Sequence, residues 1–163
     1  MELIDYAKLT FDDETERLLF DFCRELDLGH AAAYGEPGDF KFHVTVMYSS
    51  VTSPHFKEGL VEGFSPLILR PECWDLFGSE GNHLVLRLHL GQELSELYGH
   101  YPKTYGHVSD FAPYRPHVTI AGGETSDRRR LAKIPVPSFA LRADKLVHKV
   151  KLGRGSRNTV ETR

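Results

Sequence analysis

The chain contains 163 residues, with ordinary fractions of apolar and charged side chains and a formal net charge of −3. This length fits one domain with a buried core, and the small negative charge gives no general affinity for nucleic acid, so no duplex partner is expected. No apolar run approaches about 18 residues and no cationic leader opens the chain, which predicts a cytoplasmic protein without a membrane partner.

The first half of the chain predicts one helix among three strands. Leu19, Phe22 and Leu26 recur at helical spacing. Thr10 precedes acidic residues that suit the positive end of a helix, so we place an N-cap there. The predicted elements are a strand at 3–9, a helix at 12–27, a loop at 30–39, a strand at 40–49, a loop at 50–65 and a strand at 67–77.

The second half begins after a turn signal at 79–82. Leucines alternate with other residues along 83–90, as expected of a strand with one buried face. The predicted elements are a strand at 83–90, a short helix at 91–101, a loop at 102–113, a strand at 114–121, a basic helix or loop at 124–134, a last strand or strand pair at 139–152 and a mobile tail at 153–163.

The two halves therefore repeat one order of elements. This repeat predicts a single domain over 1–163 whose two lobes, at about 1–80 and 81–152, are related by a pseudo-two-fold axis. The two cysteines, Cys23 and Cys73, are too few for a disulfide framework and are expected to be buried thiols.

The triplet His-Val-Thr occurs twice, once in each half of the chain. Alternate residues of a strand share a face, so His43 projects together with Thr45, and His117 together with Thr119. A single His-x-Thr match is weak evidence, but identical copies at matching positions favour two strands that face one cleft. The structural alternative is a pair of strand histidines held by local hydrogen bonds.

Basic residues are concentrated toward the C-terminal part of the chain. This distribution permits an anionic ligand nearby, although solvated surface charge is the commoner reason for such a pattern. The residues concerned are Arg128, Arg129, Arg130, Lys133, Arg142, Lys145, Lys149, Lys151, Arg154 and Arg157.

Paired His-x-Thr motifs about 75 residues apart in a small α+β chain resemble the 2H phosphoesterase superfamily. The segment 42–49 (FHVTVMYS) and the compact N-terminal strand and helix are most similar to the phage anti-CBASS nucleases. The resemblance implies an α+β fold with antiparallel sheets flanking a central cleft and helices outside. It also implies a phosphodiesterase without metal or cofactor that acts on cyclic di- or trinucleotides, in the host cytoplasm if the source is a phage.

The motif residues themselves suit cleavage of a phosphodiester. One histidine can deprotonate a hydroxyl while the other protonates the departing oxygen, because an ordinary histidine titrates near neutral pH. Thr45 and Thr119 can donate hydrogen bonds to the phosphate oxygens as charge builds there. The motifs lack the carboxylates that magnesium sites favour, while a zinc site made of His43, His117 and a third histidine stays open as an alternative.

Three further residues are candidates for substrate binding. Trp74 can stack on a base, as a tryptophan does in the anti-CBASS enzymes, or pack in the core. Tyr6 can hydrogen-bond the phosphate, as the resemblance suggests, or pack in the core. Arg115 can pair with phosphate or lie exposed at the surface. The remaining histidines have no partner pattern and are interpreted as surface or structural: His30, His55, His83, His89, His100, His107 and His148.

Three functions compete on this sequence. The first is hydrolysis of 3′–5′ bonds in cyclic oligonucleotide messengers, which counters CBASS antiphage defence. The second is an RNA-end enzyme that opens 2′,3′-cyclic phosphates or handles 2′–5′ linkages. The third is a non-catalytic nucleotide- or RNA-binding module, which the intact pairs argue against because binding alone needs no acid and base.

Overall fold

The computed structural model describes residues 2–28, 41–78, 83–121 and 131–153. Within these ranges the chain forms two helices, α1 (Asp13–Glu25) and α2 (Gln92–Tyr105). The strands are β1 (Leu3–Phe11), β2 (His43–Ser49), β3 (Gly59–Leu60), β4 (Leu67–Leu69), β5 (Pro71–Phe77), β6 (His83–Leu88), β7 (His117–Ala121) and β8 (Leu141–Leu152).

The strands form one antiparallel sheet in the order β3-β8-β1-β2-β7-β6-β5, and β4 pairs with β8. The α+β class with antiparallel strands is therefore confirmed. One continuous sheet takes the place of the separate sheets expected on either side of a cleft, because β2 pairs directly with β7. The strand-helix-strand units β1-α1-β2 and β6-α2-β7 meet at that pair, while the two-lobed pseudo-symmetry stays a prediction.

One face of this sheet carries the core. Cross-strand partners share a face, and one such row crosses six strands from β8 to β5, all of it buried. Both helices pack on this face: Phe22 of α1 stacks on Trp74 and Tyr101 of α2 hydrogen-bonds His148. The row consists of Leu146, Leu9, Val44, Val118, Leu86 and Trp74.

The helix α1 was predicted correctly, but its cap lies two residues further along than expected. Asp12, rather than Thr10, is the N-cap, and its Oδ1 accepts the Thr15 N–H at 2.8 Å. Thr10 belongs to β1, where it pairs with His43. The strand continues past residue 9 because its pairing with two neighbouring strands outweighs the local preference of threonine for a cap.

The helix α2 extends beyond its predicted end at 101, through Pro102 to Tyr105. Tyr101 is fully buried, and both tyrosines pack around Phe56. These contacts stabilise the last turn although proline cannot supply its backbone N–H. Gly106 then closes the helix in the left-handed conformation, with φ of 74°.

Other predicted boundaries of strands are wrong where a strand pairs with a segment far away in the chain. The predicted strand 67–77 is divided between β4, which pairs with β8, and β5, which pairs with β6. A short strand, β3, lies inside the predicted loop 50–65. Cys23 is buried as expected, whereas Cys73 is only half-buried, and both thiols are free. The loop 30–39, the turn 79–82, most of 124–134 and nearly all of the tail lie outside the described residues.

In the part of the chain that the structure describes, neither helix is long and apolar enough to cross a membrane.

Candidate active site

The two motif pairs lie side by side on the face of the sheet opposite the core. Val44 pairs with Val118, which places His43 opposite Thr119 and Thr45 opposite His117 across the β2–β7 boundary. Directly opposed residues have Cβ atoms about 5 Å apart, and the diagonal neighbours are about 7–8 Å apart. The histidines occupy one diagonal and the threonines the other, so four polar side chains surround one point above the sheet.

His43 is half-buried and surrounded by positive groups. Burial is the largest cause of its lowered pKa, and the charge on Lys8 is the next. His117 and Lys151 lower it further, against a hydrogen bond to the backbone of Lys41 that raises it. The result is a pKa of about 4, so the imidazole is neutral at neutral pH and can accept a proton.

His117 has its tautomer fixed by the backbone. Its Nδ1 lies 2.8 Å from the carbonyl oxygen of Arg115, which can only accept, so Nδ1 carries the proton. In the neutral ring the Nε2 atom then holds the lone pair, and in the charged ring it holds the second proton. The ring of Phe77 lies 4.7 Å away in an edge contact and limits how far the imidazole can turn.

Thr45 is held by two tyrosines. Its hydroxyl donates to the Tyr6 hydroxyl at 3.4 Å, and its carbonyl accepts from Tyr114 at 2.9 Å. Burial raises the pKa of Tyr114, and its ring stacks on Tyr98 at 4.3 Å. Tyr6 is buried and its hydroxyl contacts Thr45 on the motif face of the sheet, while its hydrogen bond to a phosphate stays a prediction.

A cavity of about 310 Å³ opens beside Thr45 and His117. This volume is at the lower end of the range for small-molecule sites. Phe111 closes one side, where it contacts Tyr48 at 5.5 Å, and Phe77 closes another. Aromatic side chains with a few polar groups at the edge are typical of small-molecule pockets.

Trp74 does not reach this cavity, which corrects the stacking role preferred from the sequence. It pairs with Leu86 on the core face of the sheet and is 7 % exposed. Phe22 stacks on its ring at 6.5 Å, and its Nε1–H donates to the Pro135 carbonyl oxygen at 2.9 Å. The indole therefore has an apolar contact in the core and a hydrogen-bond acceptor at the edge of the core, so the packing alternative describes it.

Arg115 lies at the edge of the cavity. Its guanidinium carbon lies 4.4 Å from the centre of the Phe77 ring, and its side chain is exposed. The guanidinium therefore covers the Phe77 wall of the cavity, and the pairing of Arg115 with a phosphate stays a prediction.

No group of three or more His, Cys, Asp or Glu side chains among the described residues is placed to hold a metal ion. The zinc alternative needs a third histidine beside His43 and His117, and the described part of the chain brings none into such a group. The arrangement that it does bring together is two imidazoles and two hydroxyls, whose chemistry is proton transfer and anion stabilisation.

Sequence reasoning missed three residues of the site. Lys8 is the cross-strand neighbour of Thr45, and the rings of Phe77 and Phe111 form walls of the cavity. Phe77 ends the strand β5, two strands away from β7 in the sheet, so only the strand order reveals its position. Alternation along 3–11 gave a usable signal for Lys8, because it shares a face with Tyr6.

The fold and the site together define an α+β protein with two His-x-Thr pairs on neighbouring central strands of one antiparallel sheet. The family model described as "Anti-CBASS protein Acb1" matches residues 5–136. Because this match covers most of the chain, the protein belongs to the Acb1 family of anti-CBASS proteins. A search of curated proteins finds no match.

Proposed function

We propose that this protein is a metal-independent phosphodiesterase of the 2H type that hydrolyses 3′–5′ bonds of cyclic oligonucleotide messengers. The observation that carries the proposal is the crossed arrangement of two imidazoles and two hydroxyls on β2 and β7. Membership of an anti-CBASS family supports a substrate from the signalling of that defence. A phosphate centred above the four side chains has a base, an acid and two hydroxyl donors within reach.

His43 is the base and His117 is the acid in this proposal. His43 has a pKa of about 4 and is therefore unprotonated when substrate arrives. The arriving phosphate offsets the repulsion from Lys8 and Lys151, so the pKa of His43 rises as it takes the proton. His117 donates Nδ1–H to a carbonyl, and this contact stabilises the imidazolium that gives its Nε2 proton to the departing 5′-oxygen.

The nucleophile is the ribose 2′-hydroxyl next to the scissile phosphate. Attack by a group already held in place lowers the barrier by several kcal/mol compared with attack by a free molecule. The oxygen–phosphorus bond to the 2′-oxygen forms while the bond to the 5′-oxygen breaks, which leaves a 2′,3′-cyclic phosphate. Water then opens that product with the roles of the two histidines reversed.

The cavity beside Thr45 and His117 receives a base of the same substrate in this scheme. Its walls of Phe77 and Phe111 present ring faces and edges, which bind any base through stacking. A contact of this kind is worth about 1–3 kcal/mol. The RNA-end alternative uses the same four catalytic groups, so substrate size separates it from the leading proposal.

The test is incubation of the protein with 3′–5′ cyclic di-AMP in excess EDTA, followed by chromatography of the products. We expect cleavage through a 2′,3′-cyclic phosphate intermediate, and no cleavage of the analogue in which both riboses are 2′-deoxyribose. The exposed His55 provides a matched control, because His55→Ala removes an imidazole outside the site and should leave the rate unchanged.

Three results would reject parts of this proposal separately. Loss of all cleavage in EDTA, restored by zinc or magnesium, would replace the acid–base pair with a metal mechanism. Comparable cleavage of the deoxy analogue would mean that water attacks the phosphate directly. If only 2′,3′-cyclic AMP is opened and cyclic di-AMP is left intact, the RNA-end function takes the place of the proposed one.

A further inference from the structure

The segment 106–113 forms part of the cavity wall without belonging to a helix or strand. It begins at Gly106, the C-cap of α2, and Phe111 is the aromatic side chain that it contributes to the cavity. Val108 and Phe111 are 60 % and 38 % exposed, so burial of these apolar side chains does little to fix the segment. We refer to residues 106–113 as the wall loop.

Buried polar contacts hold the start of the wall loop. His107 Nε2 lies 2.8 Å from Oδ2 of Asp5 on β1, and both side chains are almost fully buried. The next residue, Val108, donates its N–H to the hydroxyl oxygen of Ser49 at 3.2 Å. Ser49 is itself held in place, because its hydroxyl donates to the Val51 carbonyl oxygen at 2.8 Å. The loop therefore starts from fixed positions near the beginning of β1 and the end of β2.

Asp110 connects the middle of the wall loop to the end of β2. Its N–H donates to the Tyr48 carbonyl oxygen at 3.0 Å. Its Oδ1 accepts two hydrogen bonds from Ser50, one from the backbone N–H at 3.2 Å and one from the hydroxyl at 3.1 Å. These bonds fix both the backbone and the side chain of Asp110, one residue before Phe111.

The Phe111 ring lies at the end of a row of aromatic side chains that leads to the catalytic face. It contacts Tyr48 at 5.5 Å, and Tyr48 contacts Tyr6 at 5.7 Å. The Tyr6 hydroxyl accepts from Thr45. A base gains most from stacking on a ring that is already held in place, because a mobile side chain must be ordered when the ligand binds.

The charge of Asp110 does not by itself favour the proposed substrate. A cyclic oligonucleotide is a polyanion, and a carboxylate near its pocket repels it. Asp110 is also exposed, so its side chain has no part in the core. What the side chain supplies is an acceptor for the two Ser50 donors, and the amide oxygen of an asparagine can accept the same two bonds.

We propose that Asp110 is a positioning residue for substrate binding, which holds the wall loop on β2 and so keeps the Phe111 ring in place to stack on a base. The inference rests on the proposed phosphodiesterase function and adds the residue through which this wall of the cavity is formed before substrate arrives. Asp110 does not touch the substrate in this scheme, and proton transfer stays with His43 and His117.

The experiment compares Asp110→Ala and Asp110→Asn with wild type on cyclic di-AMP. Asp110→Ala releases the loop, which the substrate must then order, so KM should rise about 3- to 10-fold while kcat stays unchanged. Asp110→Asn keeps the acceptor for Ser50 and should have the wild-type KM. Asp13→Ala is the control for net charge, because it removes an exposed carboxylate from α1, on the opposite side of the sheet.

A double-mutant cycle shows whether Asp110 acts through Phe111. Phe111→Ala removes the ring, so adding Asp110→Ala to that variant should raise KM no further. Equal KM values for Asp110→Asn and Asp110→Ala would overturn the proposal, because the charge and not the acceptor would then matter. Multiplicative losses in the cycle, or a lower kcat at unchanged KM, would overturn it as well.

Hydrogen exchange followed by NMR tests the hold on the loop without substrate. In Asp110→Ala the backbone amides of Val108 and Phe111 should exchange faster than in wild type, whereas the amide of Val44 in the sheet and the urea unfolding midpoint should stay unchanged. Unchanged exchange at both loop amides would overturn the positioning role. Failure of wild type to cleave or bind cyclic di-AMP would instead reject the proposed function, and the exchange rates would still decide whether Asp110 holds the wall loop.

Discussion

Replacing Glu16 by glutamine tests how the start of β2 is held beside His43. The carboxylate of Glu16 lies on the buried side of α1, and its Oε2 accepts the Phe42 N–H at 3.0 Å. Burial is the main cause that raises the pKa of Glu16 from 4.5 to about 7, partly opposed by the charge on Lys41. Glutamine keeps an oxygen acceptor for Phe42 and removes the charge.

The size of the effect follows from that pKa. A folded-state pKa above the unfolded one means that the folded protein binds the proton more tightly, so the stabilisation is present below pH 4.5 and is lost as pH rises toward 7. At 1.36 kcal/mol for each pKa unit, Glu16 should lower the unfolding free energy by about 2.5 kcal/mol between pH 5 and pH 8. E16Q lacks this titrating group. The difference in unfolding free energy between E16Q and wild type should therefore shift in favour of E16Q by that amount from pH 5 to pH 8.

Urea unfolding at pH 5, 6.5 and 8 measures this difference, and the single tryptophan reports it because Trp74 is buried in the core. The lowered pKa of His43 acts in the opposite direction, with stability lost as pH falls toward 4, but it contributes equally to both proteins. Glu14→Gln, on the exposed side of α1, is the control. If the difference in unfolding free energy between E16Q and wild type is the same at pH 5 and pH 8, the raised pKa of Glu16 is refuted.

Three further predictions concern activity and the core. His43→Ala or His117→Ala should each reduce kcat by about 10²–10⁴-fold, and the double variant should be little slower than either; fully multiplicative losses in steady-state assays would argue against a concerted pair. Thr45→Ala should reduce kcat by up to about 10²–10³-fold, and a change in KM alone would assign the hydroxyl to ground-state binding. Trp74→Phe should lower the unfolding free energy measured in urea by about 1–3 kcal/mol and leave KM unchanged. A raised KM with unchanged stability would instead show that the indole binds substrate.

Local patterns in the sequence determined the parts of the fold that depend on one element at a time. The period of α1 and the alternation along β2 and β7 follow from which residues must face a core, so the helix and the shared face of each His-x-Thr pair were predicted correctly. The acidic residues at 12–14 predicted where the helix begins, but not which side chain caps it. Pro102 illustrates the limit, because tertiary packing of Tyr101 extended a helix that the local signal ended.

Only the tertiary structure decided which strands are neighbours, and with them the composition of the site. The pairing of Val44 with Val118 places the two motifs on adjacent strands and sets the diagonal between the histidines. The same strand order puts Trp74 on the core face and brings Lys8 beside Thr45. Strand pairing joins residues far apart in the chain, and a shift of one residue in register would turn every side chain to the opposite face. No local pattern contains that register, since it is fixed by the packing of the whole sheet against its helices.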